Sequence, residues 1–208
     1  MTPLRLQVFS DYLCPWCHLA AHRLKRVEAE NEGALTLEWK SYLLRPHPEE
    51  GRELLKFVRY TQGWLRPAAE PDAPRFQVWA SSEGPPTHSI PAHVAARAAR
   101  RQGEAPGRAM HERLLQAYFE ESRDISREPT LRALWNEVGL AAAEFEACRA
   151  PELVRETIDD HNEAALLGMT GVPAVRISGS DAFLMGAQPL DVYRRWVAKL
   201  RARAEAGA

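Results

Sequence analysis

Apolar and polar positions change period along the chain, and the changes mark its elements. Near the start, Leu4, Leu6, Val8 and Phe9 form an apolar run that reads as a buried strand, and Leu19 to Val27 an amphipathic run that reads as a helix. Leu35, Leu37 and Trp39 then alternate with Thr36, Glu38 and Lys40, the period of a half-buried strand. Strand, crossover helix and strand within about forty residues predict a right-handed βαβ unit with parallel strands. Glu32-Gly33 closes the helix, and the turn-rich run from Arg45 to Gly51 ends the second strand.

From Arg52 to about Ala150 the pattern is helical with an irregular interlude. Leu54, Leu55, Phe57 and Val58 predict a short helix; Arg66 to Pro91, rich in proline, reads as a loop that carries Phe76, Val78 and Trp79. Those apolar residues either staple the loop to the domain or line a groove for an apolar partner. Helices are predicted over Pro91–Gln102, Pro106–Glu121, Pro129–Val138 and Ala141–Arg149. Phe145 and Cys148, three apart, share one face, and Cys148 reads as a small core residue rather than a third redox thiol.

Strand chemistry then returns. A helix from Pro151 to Leu167 ends at Gly168, and Gly171–Ile177 is a short strand entered through Pro173. Ser178-Gly179-Ser180-Asp181 is a turn signal, so Ala182–Met185 should pair antiparallel with it. A last helix carries Leu190, Val192, Tyr193, Trp196, Val197 and Leu200 on its apolar side, and Arg201 to Ala208 is expected to fray. With residues 52–150 set aside, the order is β-α-β, then α-β-β-α. That is an α/β thioredoxin-like fold with a central mixed sheet, in which residues 1–51 and 151–208 form one domain and 52–150 a helical insertion.

Composition narrows the classes. Of 208 residues, 27 are Lys or Arg against 28 Asp or Glu, so no general pull toward nucleic acid or anionic lipid is expected. Three cysteines do not make a disulfide scaffold. Met1 to Phe9 is too short for a secretory signal, and no stretch approaches a membrane span. The expectation is a cytoplasmic protein, without membrane or nucleic-acid partners, whose thiols rest reduced.

The candidate chemistry is Cys14-Pro15-Trp16-Cys17, between the first strand and the first helix. With Cys14 as N-cap, Pro15 falls at the first helical position, where its fixed φ fits and its missing N–H is no loss. Cys17 then lies on the same face within disulfide reach. The Cys14 sulfur would stand in for a capping oxygen at the positive end of the helix dipole, which favours a thiolate, so Cys14 is the expected attacking thiol and Cys17 the resolving one. Covalent haem attachment (Cys14-Pro15-Trp16-Cys17-His18), half a zinc site and a structural pair are the alternatives. Haem of that type goes with export, and zinc would need two more ligands where Cys148 is single.

The sequence resembles the DsbA-type thioredoxin-like superfamily, and within it the FrnE-like branch grouped with 2-hydroxychromene-2-carboxylate isomerases and kappa-class glutathione transferases. The resemblance rests on Asp11-Tyr12-Leu13-Cys14-Pro15-Trp16-Cys17, Leu44-Arg45-Pro46 with Pro48 and Gly51, Ala117-Tyr118-Phe119-Glu120 with Asp124-Ile125, Gly171-Val172-Pro173, and Gly186-Ala187-Gln188-Pro189. It implies a cis Val172-Pro173 bond against the cysteines, with the Val172 backbone turned outward to pair with a substrate strand. Two departures stand out. Val8 occupies the place of a buried glutamate, leaving Asp11, His18 or water to take the proton from Cys17, and no cysteine follows Cys148.

His18 reads as a partly exposed residue that tunes the thiols or shuttles protons, and His93 as either packing or site-facing. The resemblance implies a thiol–disulfide oxidoreductase or isomerase working through a Cys14-Cys17 disulfide. It would hold no bound cofactor, would take thiol- or disulfide-containing proteins as substrates, and has glutathione as a candidate thiol partner. A glutathione-dependent isomerase or transferase of small aromatic substrates is the alternative; those relatives use serine at the first cysteine position. A chaperone-like module built on the proline-rich loop is a third reading.

Overall fold

A computed structural model of the chain describes residues 3–206. β1 (Leu4–Ser10) is buried from Leu6 onward on both faces, as a central strand must be. β2 (Leu35–Ser41) pairs parallel with it, Leu4 opposite Leu35 and Ser10 opposite Ser41. β3 (Ala174–Ile177) flanks β1 on the other side, antiparallel, and β4 (Phe183–Met185) completes a four-stranded mixed sheet in the order β2-β1-β3-β4.

Alternation along β1 sorts its side chains between two layers. Leu6 and Val8 meet Leu24 and Val27 of α1 (Pro15–Glu30) and Tyr193 and Val197 of α8 (Leu190–Ala206). Phe9 faces the other way and packs with Ala164 of α7 (Pro151–Leu166), Met169 and Ala174. α1 closes on Asn31, whose side chain caps the Val27 carbonyl at 2.8 Å, and Gly33, with φ +74°, turns the chain into β2.

The insertion runs through α2 (Leu54–Thr61), a 3-10 turn (Gln62–Trp64), the single turn α3 (Leu65–Ala68), the irregular proline-rich segment, α4 (Ile90–Arg101), α5 (Glu104–Phe119), α6 (Glu128–Glu137) and a 3-10 run (Ala142–Arg149). Trp64, Met110, Leu114, Tyr118, Phe119 and Trp135 form its core, which continues into Tyr12, Leu13 and Ala21 beside the cysteines. α4 and α5 touch closely: a Cβ on Gly107 would stand 2.7 Å from the Arg100 Cα. Among the described residues no helix is long and apolar enough to cross a membrane.

Several local expectations are corrected. Ala141–Arg149 is 3-10 rather than α-helical: Pro151 drives Ala150 into the extended region, so the run is too short to settle into α geometry. β3 begins at Ala174, because Pro173 has no N–H to give the ladder. The last helix does not fray at Arg201, whose guanidinium donates to Asn31 at 2.8 Å; it continues through Ala206, and residues 207–208 lie outside the described residues. Trp79 is buried against Phe57 and Tyr118, and Phe76 packs on His18 and Phe119, so these loop residues staple rather than line a groove. Arg23, buried in α1, fastens the same loop through Asp72 and Glu70 and reaches the Ala187 and Gln188 carbonyls before α8.

Candidate active site

β1 ends at Ser10, and the chain turns through Asp11, Tyr12 and Leu13 into α1. Asp11 holds that turn. Its Oδ1 accepts from the Leu13 amide and its Oδ2 from the Leu44 amide, each at 2.7 Å, and its carbonyl accepts from the Cys14 amide at 3.1 Å. An aspartate bonding the amide two residues on is a local turn preference; the link to Leu44 is long-range. Burial pushes the Asp11 carboxyl up from 3.8 to about 6, opposed by hydrogen bonds from Ser89 and the two amides and by the Arg45 charge.

Cys14 is the N-cap of α1, extended at φ −95°, with Pro15 inside the first turn. Its carbonyl accepts from the Cys17 and His18 amides at 3.0 and 3.3 Å. Its sulfur makes no capping hydrogen bond, contrary to expectation. The thiol instead donates to the Val172 carbonyl at 3.5 Å, across a cis Val172-Pro173 bond. The Pro173 carbonyl is tied to the Gly186 amide at 2.7 Å, which fixes the segment against the helix end.

Both cysteines are free thiols, with Cys14 6% exposed and Cys17 1%. Burial, then the adjoining Cys14, pushes the Cys17 thiol well up. The Asp11 backbone and the Ser10 side chain oppose that shift. Exposed apolar residues lie near the turn: Trp16, between the two cysteines in sequence, is 38% exposed, and Leu44, whose amide Asp11 binds, and Tyr60 on α2 are more so; burial raises the Tyr60 hydroxyl, and Cys14 adds to the shift. The arrangement can present one sulfur to an incoming disulfide and hold the second beneath it.

A DSBA-like thioredoxin domain is matched by residues 5–198. The chain belongs to that family. Among its relatives, YwbO of Bacillus subtilis (strain 168) is 26% identical over 200 residues, covering 92% of this chain and 94% of that one. The cytosolic disulfide reductase DsbM from Pseudomonas aeruginosa superposes with TM-score 0.75 at 23% identity, over 98% of this chain and all of the other; its structure with GSH gives 0.72 at 25% identity, over 97% and all. A 2-hydroxychromene-2-carboxylate isomerase gives 0.69 at 16% identity, over 99% and all.

Within this DsbA-like frame the other candidate residues fall apart. His18 is buried, not partly exposed. Its ring stacks on Phe119 at 5.2 Å, meets Phe76 edge-on at 5.0 Å, and Nε2 lies 3.3 Å from the Arg75 carbonyl and 3.6 Å from Glu120, so it joins α1 to the insertion. The reason is the helix period: the residue after Cys17 points to a different face. His93 is buried against Tyr12, ring centroids 4.8 Å apart, with Nε2 4.0 Å from the Asp11 carboxylate. Cys148 packs on the insertion core, and burial pushes its thiol up to about 11. Among the described residues no group of three or more His, Cys, Asp and Glu is placed to hold a metal. Sequence reasoning missed Ser10, whose only signal is its place at the end of β1, and Tyr60, which has none.

Proposed function

We propose that the protein is a thiol–disulfide oxidoreductase working through Cys14 and Cys17. Cys14, as thiolate, attacks one sulfur of a substrate disulfide; a Cys14–substrate S–S bond forms, and the other substrate sulfur leaves as a thiolate and takes a proton. Cys17 then loses its proton and attacks the Cys14 sulfur, releasing the second substrate thiol and leaving a Cys14–Cys17 disulfide. Two electrons have passed from the dithiol to the substrate. Two molecules of a small thiol such as glutathione restore the dithiol and become the disulfide; the reverse sequence oxidises a protein dithiol.

The observation that carries the reading is the pair itself: an outer Cys14 against the Val172 carbonyl, with Cys17 buried directly beneath. An extended substrate segment would lie along Val172 and Pro173, between Trp16 and Tyr60, and pair with the Val172 backbone. The glutathione complex of DsbM supports a small thiol as partner, and the cytosolic setting of that relative supports a cytoplasmic one. The isomerase alternative rests on fold likeness alone.

The test is redox equilibration in glutathione buffers, read by Trp16 fluorescence and thiol trapping, with Cys14→Ser and Cys17→Ser as controls. One two-electron transition, lost in both variants, is expected, and its midpoint separates reductase from oxidase or isomerase. Absence of a reversible Cys14–Cys17 disulfide would overturn the reading.

A further inference from the structure

A cavity of about 260 Å³ lies between β2 and helices α4 and α5. Ser10 and Tyr12 form part of its wall, so it adjoins the turn that carries the cysteines without including them. Among the described residues, buried side-chain nitrogens without a hydrogen-bond partner are few, and the Nε2 atoms of His93 and His111 and the Nε of Arg97 are three of them. All three residues line this one cavity. His93 Nε2 lies 4.0 Å from the Asp11 carboxylate, which leaves Arg97 Nε on α4 and His111 Nε2 on α5; buried polar atoms are ordinarily satisfied, so these two call for an occupant.

The polarity of the missing partner follows from the hydrogen bonding. The Tyr12 hydroxyl and His111 Nδ1 are 2.9 Å apart. If the phenol donates, Nε2 carries the ring proton and is a donor; the opposite tautomer would strand both the phenol proton and a bare Nε2. Arg97 Nε is always a donor, and its terminal nitrogens are already committed to Asp160 and Glu156. Two buried donors therefore face no acceptor. At the mouth, Arg100 makes long contacts, 3.4 Å to the Trp39 carbonyl and 3.8 Å to Glu104. Trp39, stacked on His111 at 4.0 Å, and Ala96 supply an apolar wall.

We propose that this cavity binds a small organic oxyanion, a short carboxylate or phosphate, with Arg97 Nε and His111 Nε2 as its donors and Arg100 at the entrance. Its size is below that of drug-sized pockets, and suits a skeleton of a few carbons. Bound water alone is the competing occupant.

The experiment is calorimetric titration of the full chain with succinate and, separately, inorganic phosphate, together with ¹H–¹⁵N imidazole spectra. Saturable binding of either probe, with a shift of the His111 Nε2 signal, is the expected result; the preferred probe tells carboxylate from phosphate. His111→Phe should weaken binding by about tenfold or more, the loss of one hydrogen bond to a charged group. Ala96→Leu, which fills the cavity without removing any polar partner, should abolish binding even if the histidine variant folds poorly. Thiol exchange by Ala96→Leu should match the parent protein. Failure of both probes to bind at millimolar concentration, or binding unchanged in Ala96→Leu and His111→Phe, overturns the proposal in favour of water or of an adventitious surface site.

Discussion

The cysteine pair and the imidazole cluster flank the same turn at the end of β1, and burial acts on both in favour of the neutral form. It raises the Cys17 thiol and the Asp11 carboxyl, and it lowers His93 and His111 from 6.5 to about 3, with nearby positive groups adding to the effect. The sites differ in what meets them from outside. The cysteine end has an open rim of Trp16, Leu44 and Tyr60 and a backbone carbonyl facing Cys14, whereas the imidazoles are enclosed by Tyr12, Trp39, α4 and α5. The first site opens onto an exposed rim; the second is a cavity of about 260 Å³. Titratable groups that flank one turn in space therefore differ in what can reach them.

The strongest way to break this contrast is at the nucleophile. Cys14→Ser should cut reduction of a disulfide substrate by several orders of magnitude, while His111→Phe should leave the rate within a few-fold of the parent. Comparable losses in a turnover assay would mean that the two sites act as one.

Acid stability is next in size. For His93 and His111 the folded pKa lies below the unfolded 6.5, so their contribution is fully present above that value and is lost as pH falls toward about 3. Each can cost up to about 4–5 kcal/mol over that window. Urea unfolding measured against pH should show a steep acid limb that flattens in His111→Phe, although that variant starts lower at neutral pH because Tyr12 loses its acceptor. An unchanged limb would show that His111 charges freely in the fold.

Asp11 has the opposite sign. Its folded pKa of about 6 lies above the ordinary 3.8, so its contribution is greatest below about pH 4 and is lost as pH rises through 6. Relative to Asp11→Asn, the parent protein should lose about 3 kcal/mol across that interval. The smallest effect is at the rim. Tyr60→Ala should change stability by no more than about 0.5 kcal/mol, yet slow exchange with a peptide disulfide more than with glutathione disulfide, as paired kinetic assays would show.

Much of the frame is legible in the sequence. The CPWC motif, its strand before and helix after, and Pro15 at the first helical position follow from local chemistry, as do the hairpin of β3 and β4 and the stop at Gly168. Alternation along β1 and the helix period of α1 and α8 are short-range signals that burial then respects. Direction was harder. His18 sits next to Cys17 in sequence yet points into the insertion, and the Cys14 sulfur turns from the helix amides to a carbonyl 158 residues away.

What the sequence by itself determined is therefore the frame and the place of the Cys14–Cys17 pair at the head of its first helix, because periodicity, proline and glycine act over a few residues. The tertiary structure alone decided that Asp11 is bound by the Leu44 amide, that Ser10 acts on the Cys17 thiol, and that Tyr12 meets His111 across 99 residues to wall a cavity with unpaired donors. Such contacts depend on how the insertion folds back over the sheet. Burial and hydrogen-bond pairing are properties of that closure, and no local pattern encodes them.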